Sequence, residues 1–589
     1  MKGARVTVRG VGVVIGCAAA TIFLALGSPC RAATATSRIA PPLGAIAGMT
    51  DAGPAAPTAL LRYAIELQPR APLDALALQI ADPTSPQHRA TASGAALNER
   101  IGRIADGSAL AGLLRASGAS NVSSSRDGLV VTAIVDVAQA ERLFHTHYEK
   151  YANGARTAIA PTLPLTIPAA NVRDVRGAVA ATTPRLNDVR TPYTGFRGDW
   201  YLPQRFREMY DALPDGGEGQ RIVLVEDASD VFDLKDVEAF LGAAGAPPGA
   251  SMAQLSDRRF AFKALAQDCG RDDRGQETAL DVDAAMTMAP RAQIVIAYDD
   301  VCSPGNDGTG ALARALDLDP TVIVFPFSVG PVRASGVAAT YGTTPLPYLE
   351  ALARGVAVVV SAGDDGAFGF RQPGIDEAAV TWPCVLASVV CAGGTQLGDR
   401  DTVVDEGPWN DALFAGAGGI STEPRPVWQN APSVFELSPD FVKSRIVPDV
   451  SADASGHLRI YWHGYGLGGV GGTSESAALV AGQLAAINGA VPPERRLTTT
   501  ADLYVLARAH PEAFRDGRAE NDRRYLDNTL RPRRIPLPKG YRGIVPPQPA
   551  LVLGCRGAQS DGCSVKAGFD AVTGIGSLKE TTAATALRR

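Results

Sequence analysis

Hydrophobic and polar positions divide the chain into distinct regimes. From "RIVLVEDASD" onward, short runs rich in β-branched residues ("IVLVE", "AQIVIAY", "TVIVFPFS", "GVAVVVSAG") alternate with segments of helix length. Strands that are apolar throughout are buried on both faces. The pattern therefore predicts an α/β domain over 200–589, a parallel sheet with helices on both sides. In such sheets functional groups gather at the carboxyl ends of strands, which directs attention to Glu226, Ser328 and Ser361–Asp365. Residues 55–150 interleave strand-like and helix-like stretches more tightly and predict a small α+β domain. Residues 151–199 are rich in Pro, Thr, Ala and Arg and read as an exposed linker open to proteolysis.

The first 32 residues form a further regime. Lys2, Arg5 and Arg9 precede an uncharged apolar run, Val11–Leu26, and small residues follow. This is the pattern of a cleaved export signal, with an uncleaved membrane anchor as the alternative reading. Export predicts a secreted or periplasmic protein without stable membrane contact once the signal is removed. Cys269, Cys302, Cys384, Cys391, Cys555 and Cys563 would remain, an even set that suggests disulfides. Short loops favour Cys384–Cys391 and Cys555–Cys563, leaving Cys269–Cys302, with other pairings open. A net charge of −5 on 589 residues gives no reason to expect a nucleic acid or an anionic membrane as partner. A monomer is expected.

Three stretches carry chemistry. In "GQETALDVDAAMTMAP" Glu277 and Asp281 lie four residues apart in an apolar run, so a helix would place both carboxyls on one face. A close carboxyl pair titrates as a unit and can take a proton from a nucleophile, but a solvated face or a helix-dipole role would use the same residues. In "GGVGGTSESAALVAGQLAAING" Ser474 stands where a glycine-rich loop meets an apolar helix, as a nucleophile or as a helix N-cap. In "VVVSAGDDGAFG" a strand ends in a turn bearing Asp364. A protonated carboxyl there could stabilise an oxyanion, although Asp is also at home in ordinary turns. The six histidines leave residues 148–456 empty, which opposes a His-dependent peptidase of subtilisin type.

Taken together, these segments resemble the sedolisin family of serine-carboxyl peptidases, which includes the kumamolisins. "ETALDVDAAMTMAP" is similar to the family's E-x-x-x-D helix, "SAGDDGA" to its S-[AG]-G-D-x-G-A turn and "GGTSESAA" to its G-[GT]-T-S-x-S-x-P motif. Further matches in order are "WYLPQRFREMYDAL", "WPCVLASVVCAGGTQL", "GAGGISTEPRPVWQ", "RIVPDVSADA" and "AGFDAVTGIGS", and "DPTSPQHRA" resembles part of the family's activation domain. The resemblance implies a subtilisin-like catalytic domain made as a zymogen. It implies Ser474 as nucleophile, Glu277 as base, Asp281 as its partner and Asp364 at the oxyanion. Substrates would be proteins or peptides, and the prodomain would be an intramolecular inhibitor. A Glu base, with an ordinary pKa near 4.3 against about 6.5 for His, predicts activity peaking around pH 3–5. The rival within the family is an inactive member kept as a binding or scaffold protein.

Several positions depart from the pattern. Ala478 replaces the Pro of the Ser motif, and Val329 stands where kumamolisin-like members carry Trp, which weakens an auxiliary role for Glu226. The family's calcium site would draw on Asp570 in "AGFDAVTG" and on an Asp at the position of Ala550 in "PALVLGCRG". Calcium is an expectation with one of its carboxylates missing.

Overall fold

The computed structural model describes residues 36–39, 49–153, 156–168, 175–179, 200–227, 232–243, 256–258, 275–299, 308–332, 344–366, 380–400, 403–409, 414–430, 443–516 and 568–589. The export segment, Cys269, Cys302, Ala550, Cys555 and Cys563 lie outside them. Among the described residues no helix is long and apolar enough to cross a membrane.

The larger half is built on an eight-stranded sheet. Its order is Ser256–Arg258, Gln293–Asp299, Arg221–Asp227, Val322–Phe325, Ala357–Ser361, Val390–Arg400 and Val403–Pro408, with Val450–Asp453 also paired to Val390–Arg400. All pairs are parallel except the last hairpin, Val390–Arg400 with Val403–Pro408. The uniformly apolar strands are explained by what covers them. Ile222, Leu224, Ile296 and Val359 face a core shared with helices Gln276–Met288 and Thr473–Ala490. Val223, Val225, Ala297 and Val358 face the opposite core, with Leu312 and Tyr348 of helices Thr309–Leu316 and Leu346–Arg354. Period-two alternation thus sends successive apolar side chains into two cores, as a doubly covered sheet requires.

The smaller half has a four-stranded antiparallel sheet in the order Ser120–Ser124, Val130–Asp136, Leu60–Leu67 and Val175–Val179. Helices Ile104–Ala116 and Val137–Phe144 close its core around Tyr63, Leu110, Val131 and Phe144. Asp136 starts the second helix with a capping box: its carboxylate accepts the Gln139 amide at 2.6 Å, while Gln139 Oε1 accepts the Asp136 amide at 3.1 Å.

One boundary differs from expectation. The linker predicted over 151–199 is strand in much of its first part. Arg156–Pro161 continues a hairpin from Tyr148–Asn153, and Val175–Val179 adds an edge to the prodomain sheet beside Leu60–Leu67. Alternation was obscured there by Pro and Thr, residues that edge strands tolerate. Residues 180–199 lie outside the described set.

The two halves share an apolar interface with charged edges. Leu73, Leu76 and Ile80 of helix Leu73–Ala81 enter the same core as Leu349 and Leu352 of the larger half. Glu66 Oε1 accepts the Leu346 amide at 2.6 Å, at the start of helix Leu346–Arg354. Arg89 Nε donates to Asp502 at 2.6 Å, and Arg126 donates to Asp319 at 3.1 Å.

Candidate active site

Glu277 lies in the first turn of helix Gln276–Met288, which begins after Gly275 at φ 88°. Glu277 and Asp281 are both buried, at 2% and 0% exposure, so the solvated-face reading fails. This helix packs tightly along helix Thr473–Ala490. A Cβ on Gly482 would stand 2.7 Å from Met288 Cβ and 2.8 Å from the Ala285 carbonyl. Gly216 meets Ala486 and the Met288 carbonyl together, so the two helices run in the same direction. Ser474 precedes Gly482 by eight residues and Glu277 precedes Ala285 by eight. Equal helical rise from a common contact therefore brings Ser474 and Glu277 to the same level, at the carboxyl edge of the sheet.

Ser474 is not an N-cap. The cap position is Gly472, whose residue type can offer no side-chain hydrogen bond, and Ser474 is the second helical residue. The other serine of the motif, Ser476, is a bolt: its hydroxyl donates to the Gly393 carbonyl at 2.5 Å and accepts the Ala452 amide at 2.9 Å. Of the two, Ser474 is the one that faces the acidic turn.

Asp364 supplies the missing cap from a different segment. Its Oδ1 accepts the Thr473 amide and the Thr473 hydroxyl, each at 2.8 Å, while Thr473 Oγ1 accepts the Gly363 amide at 2.9 Å. The turn is held from outside by the glycine-rich "GAGG" stretch and its neighbour: the Ala415 amide donates to the Asp364 carbonyl and the Ala417 amide to the Gly363 carbonyl. A Cβ on Gly472 would stand 3.0 Å from Asp364 Oδ2 and 3.1 Å from Ser474 Oγ. Both oxygens thus border one small space, kept open because residue 472 has no side chain and a φ of 147°. Thr473, which sequence reasoning did not single out, joins the nucleophile helix to the oxyanion turn.

Glu226 is fully buried at the end of its strand, and the Thr278 hydroxyl donates to its Oε2 at 3.4 Å. It therefore stands beside the turn that carries Glu277. His457 and His463 precede Ser474, and of the two His457 is buried. Its Nδ1 faces both Ser455 Oγ at 2.8 Å and Asp453 Oδ1 at 3.4 Å. A relay needs the two ring nitrogens to serve different partners, so this cluster is not a Ser-His-Asp triad.

Asp570 Oδ1 accepts the Val572 amide at 2.8 Å and the Thr573 amide at 2.7 Å, closing its own turn. Among the described residues no group of three or more His, Cys, Asp or Glu side chains could hold a metal. Calcium takes six to eight oxygens, and the stretch around Ala550, where further ligands were expected, lies outside the described residues. Of the expected disulfides, Cys384–Cys391 is present, with Cα atoms 5.0 Å apart.

Comparison with known proteins agrees with this architecture. The pro-kumamolisin activation domain matches residues 47–183, and the subtilase family matches residues 274–510. Kumamolisin from Bacillus sp. (strain MN-32) is 31% identical over 336 residues, which is 54% of this chain and 56% of that protein. The alignment thus spans little more than half the length of that relative. The structure of Pseudomonas sedolisin, a serine-carboxyl proteinase complexed with two molecules of pseudo-iodotyrostatin, superposes with a TM-score of 0.52 at 21% identity. It covers 67% of this chain and 99% of that one. The chain is thus similar to the sedolisins over both of its halves. Its larger half has the subtilisin-like fold, and the smaller half matches the pro-kumamolisin activation domain.

Proposed function

We propose that this protein is an exported serine-carboxyl endopeptidase of the sedolisin type, made as a zymogen and active in acid. The observation that carries the reading is the shared space over Gly472, bordered by Ser474 Oγ and Asp364 Oδ2. Ser474 attacks the peptide carbonyl while Glu277 takes its proton. Asp281, one turn along the same helix face, orients Glu277. Asp364 Oδ1 is engaged as an acceptor by Thr473, so the proton of the neutral acid belongs on Oδ2, facing the developing oxyanion. Glu277 then passes its proton to the leaving amine, the acyl group stays on Ser474, and a water activated by the same carboxylate releases it. Glu226 supports the carboxyl group through Thr278.

The chemistry explains the acid range. Glu277 must be ionised and Asp364 neutral at once, a combination that a carboxyl cluster sustains only at low pH. Activity peaks around pH 3–5 and fades towards neutrality. The prodomain is released by a cut within 180–199, and until then it inhibits in cis.

The test is to incubate the full-length precursor across a series from about pH 3 to 8, beside S474A and E277A. Acid-dependent self-cleavage absent from both variants is expected. A folded protein that cleaves neither itself nor peptides at any pH would instead be a binding or scaffold protein.

A further inference from the structure

Glu475 directly follows the nucleophile and has no part in the proton transfers above. It is fully buried, in a helix whose next residues are Ser, Ala, Ala, Leu and Val. A carboxyl in such a place costs several kcal/mol unless it is bound or neutral. The contacts of its head explain its presence. Glu475 Oε2 accepts the Gly456 amide at 3.1 Å, and the Leu458 amide also faces the carboxyl. A Cβ on Gly471 would stand 2.9 Å from that same oxygen and 2.6 Å from the Ala454 carbonyl. The glycine loop, the Ala454–Leu458 turn and the Glu475 head therefore meet at one point with no room for another side chain.

The loop Gly468–Gly472, which presents Ser474, has only Val470 to pack with. Gly469 and Gly472 have φ of 78° and 147°. Its order must come from what lies under it. The Gly469 amide donates to the Gly456 carbonyl at 2.9 Å, so the turn holds the loop and Glu475 holds the turn. The turn has a second acidic anchor in Asp453, which accepts from the Ser455 hydroxyl at 2.8 Å and the His457 amide at 3.3 Å. Burial first, and then the neighbouring Asp453, push the Glu475 carboxyl well above its ordinary range.

We infer that Glu475 is a positioning residue for Ser474: its carboxyl, as a neutral acceptor, fastens the Gly456–Leu458 turn beneath the glycine loop and so sets the place of the nucleophile. This rests on Ser474 being the nucleophile. Glutamine reproduces a neutral acid in size and accepts the same hydrogen bonds, whereas leucine fills the volume and accepts none.

The experiment uses full-length E475Q, E475L, E475A and S474A, with kcat and KM on a peptide substrate in acid and thermal unfolding as a folding control. E475Q should stay within about threefold of the parent, while E475L and E475A lose about tenfold or more in kcat with KM nearly unchanged. A folded E475L with parental kcat overturns the proposal, as does an E475Q as impaired as E475L. Should both apolar variants fail to fold, E475Q alone decides by the same threshold. An active S474A would sink the nucleophile assignment and this proposal with it. An inactive S474A beside a fully active E475L would sink the positioning role alone.

Discussion

The side chain of Asp364 caps the helix that carries Ser474, through Thr473. Oδ1 of Asp364 accepts both donors of Thr473 at 2.8 Å, and the same Thr473 hydroxyl accepts the Gly363 amide at 2.9 Å. One residue therefore fixes which oxygen of Asp364 faces the active site. T473V keeps the amide and the shape but loses the hydroxyl, so Asp364 Oδ1 keeps one of its two donors from residue 473 and is held less firmly. Its kcat in acid should fall about tenfold with KM nearly unchanged, a smaller loss than deleting an oxyanion donor outright. Steady-state kinetics on a peptide substrate check this.

Stability at the far side of the sheet rests on a buried ion pair. Arg445 and Asp449 are both fully buried and meet at 2.7 and 3.1 Å, and Arg445 Nε also donates to the Cys384 carbonyl. Asp449 in turn accepts the Cys391 amide and the Tyr504 hydroxyl. R445M strands a buried carboxylate and should cost about 3–5 kcal/mol in denaturant unfolding.

The prodomain interface carries a pH signature. Burial pushes Asp317 up to about 6, against the opposing pull of the Arg126 amide that it accepts at 3.0 Å. A carboxyl raised above its ordinary value favours the folded state fully below about pH 4, and this contribution is lost as pH rises through about 6. Asp317 therefore stabilises the folded precursor most in acid. D317N, neutral throughout, should match the precursor near pH 4 and exceed it by about 1 kcal/mol near pH 8, after discounting for solvent screening. Thermal unfolding of an S474A background at the two pH values reads the difference.

Chelation separates a closed turn from a metal site. Asp570 spends Oδ1 on the amides of Val572 and Thr573. EDTA should leave the melting temperature within about 2 °C, whereas D570A should lower stability by about 1–2 kcal/mol through loss of those bonds. A large drop on chelation would restore the calcium expectation.

Much of this was legible in the chain itself. Runs such as "IVLVE" announce a doubly covered strand because period-two burial on both faces leaves no polar position. Glu277 and Asp281 announce a shared helix face because 3.6 residues per turn brings i and i+4 together. These are local rules, readable without knowing what lies opposite. Within the expected linker, Val175–Val179 forms a strand because an edge strand is defined by its partner, here Leu60–Leu67, and not by its own composition. The close approach of Gly482 to Ala285, which brings Ser474 level with Glu277, joins segments nearly two hundred residues apart. The capping of Thr473 by Asp364 and the docking of Arg126 on Asp319 likewise join segments more than a hundred residues apart. No local pattern marks Glu475 as an anchor; the Ala454–Leu458 turn packed against it makes it one. Residue types and spacings determined the fold class and pointed to the candidate residues of the site. Which atoms meet was decided by packing between distant segments, which no local pattern encodes.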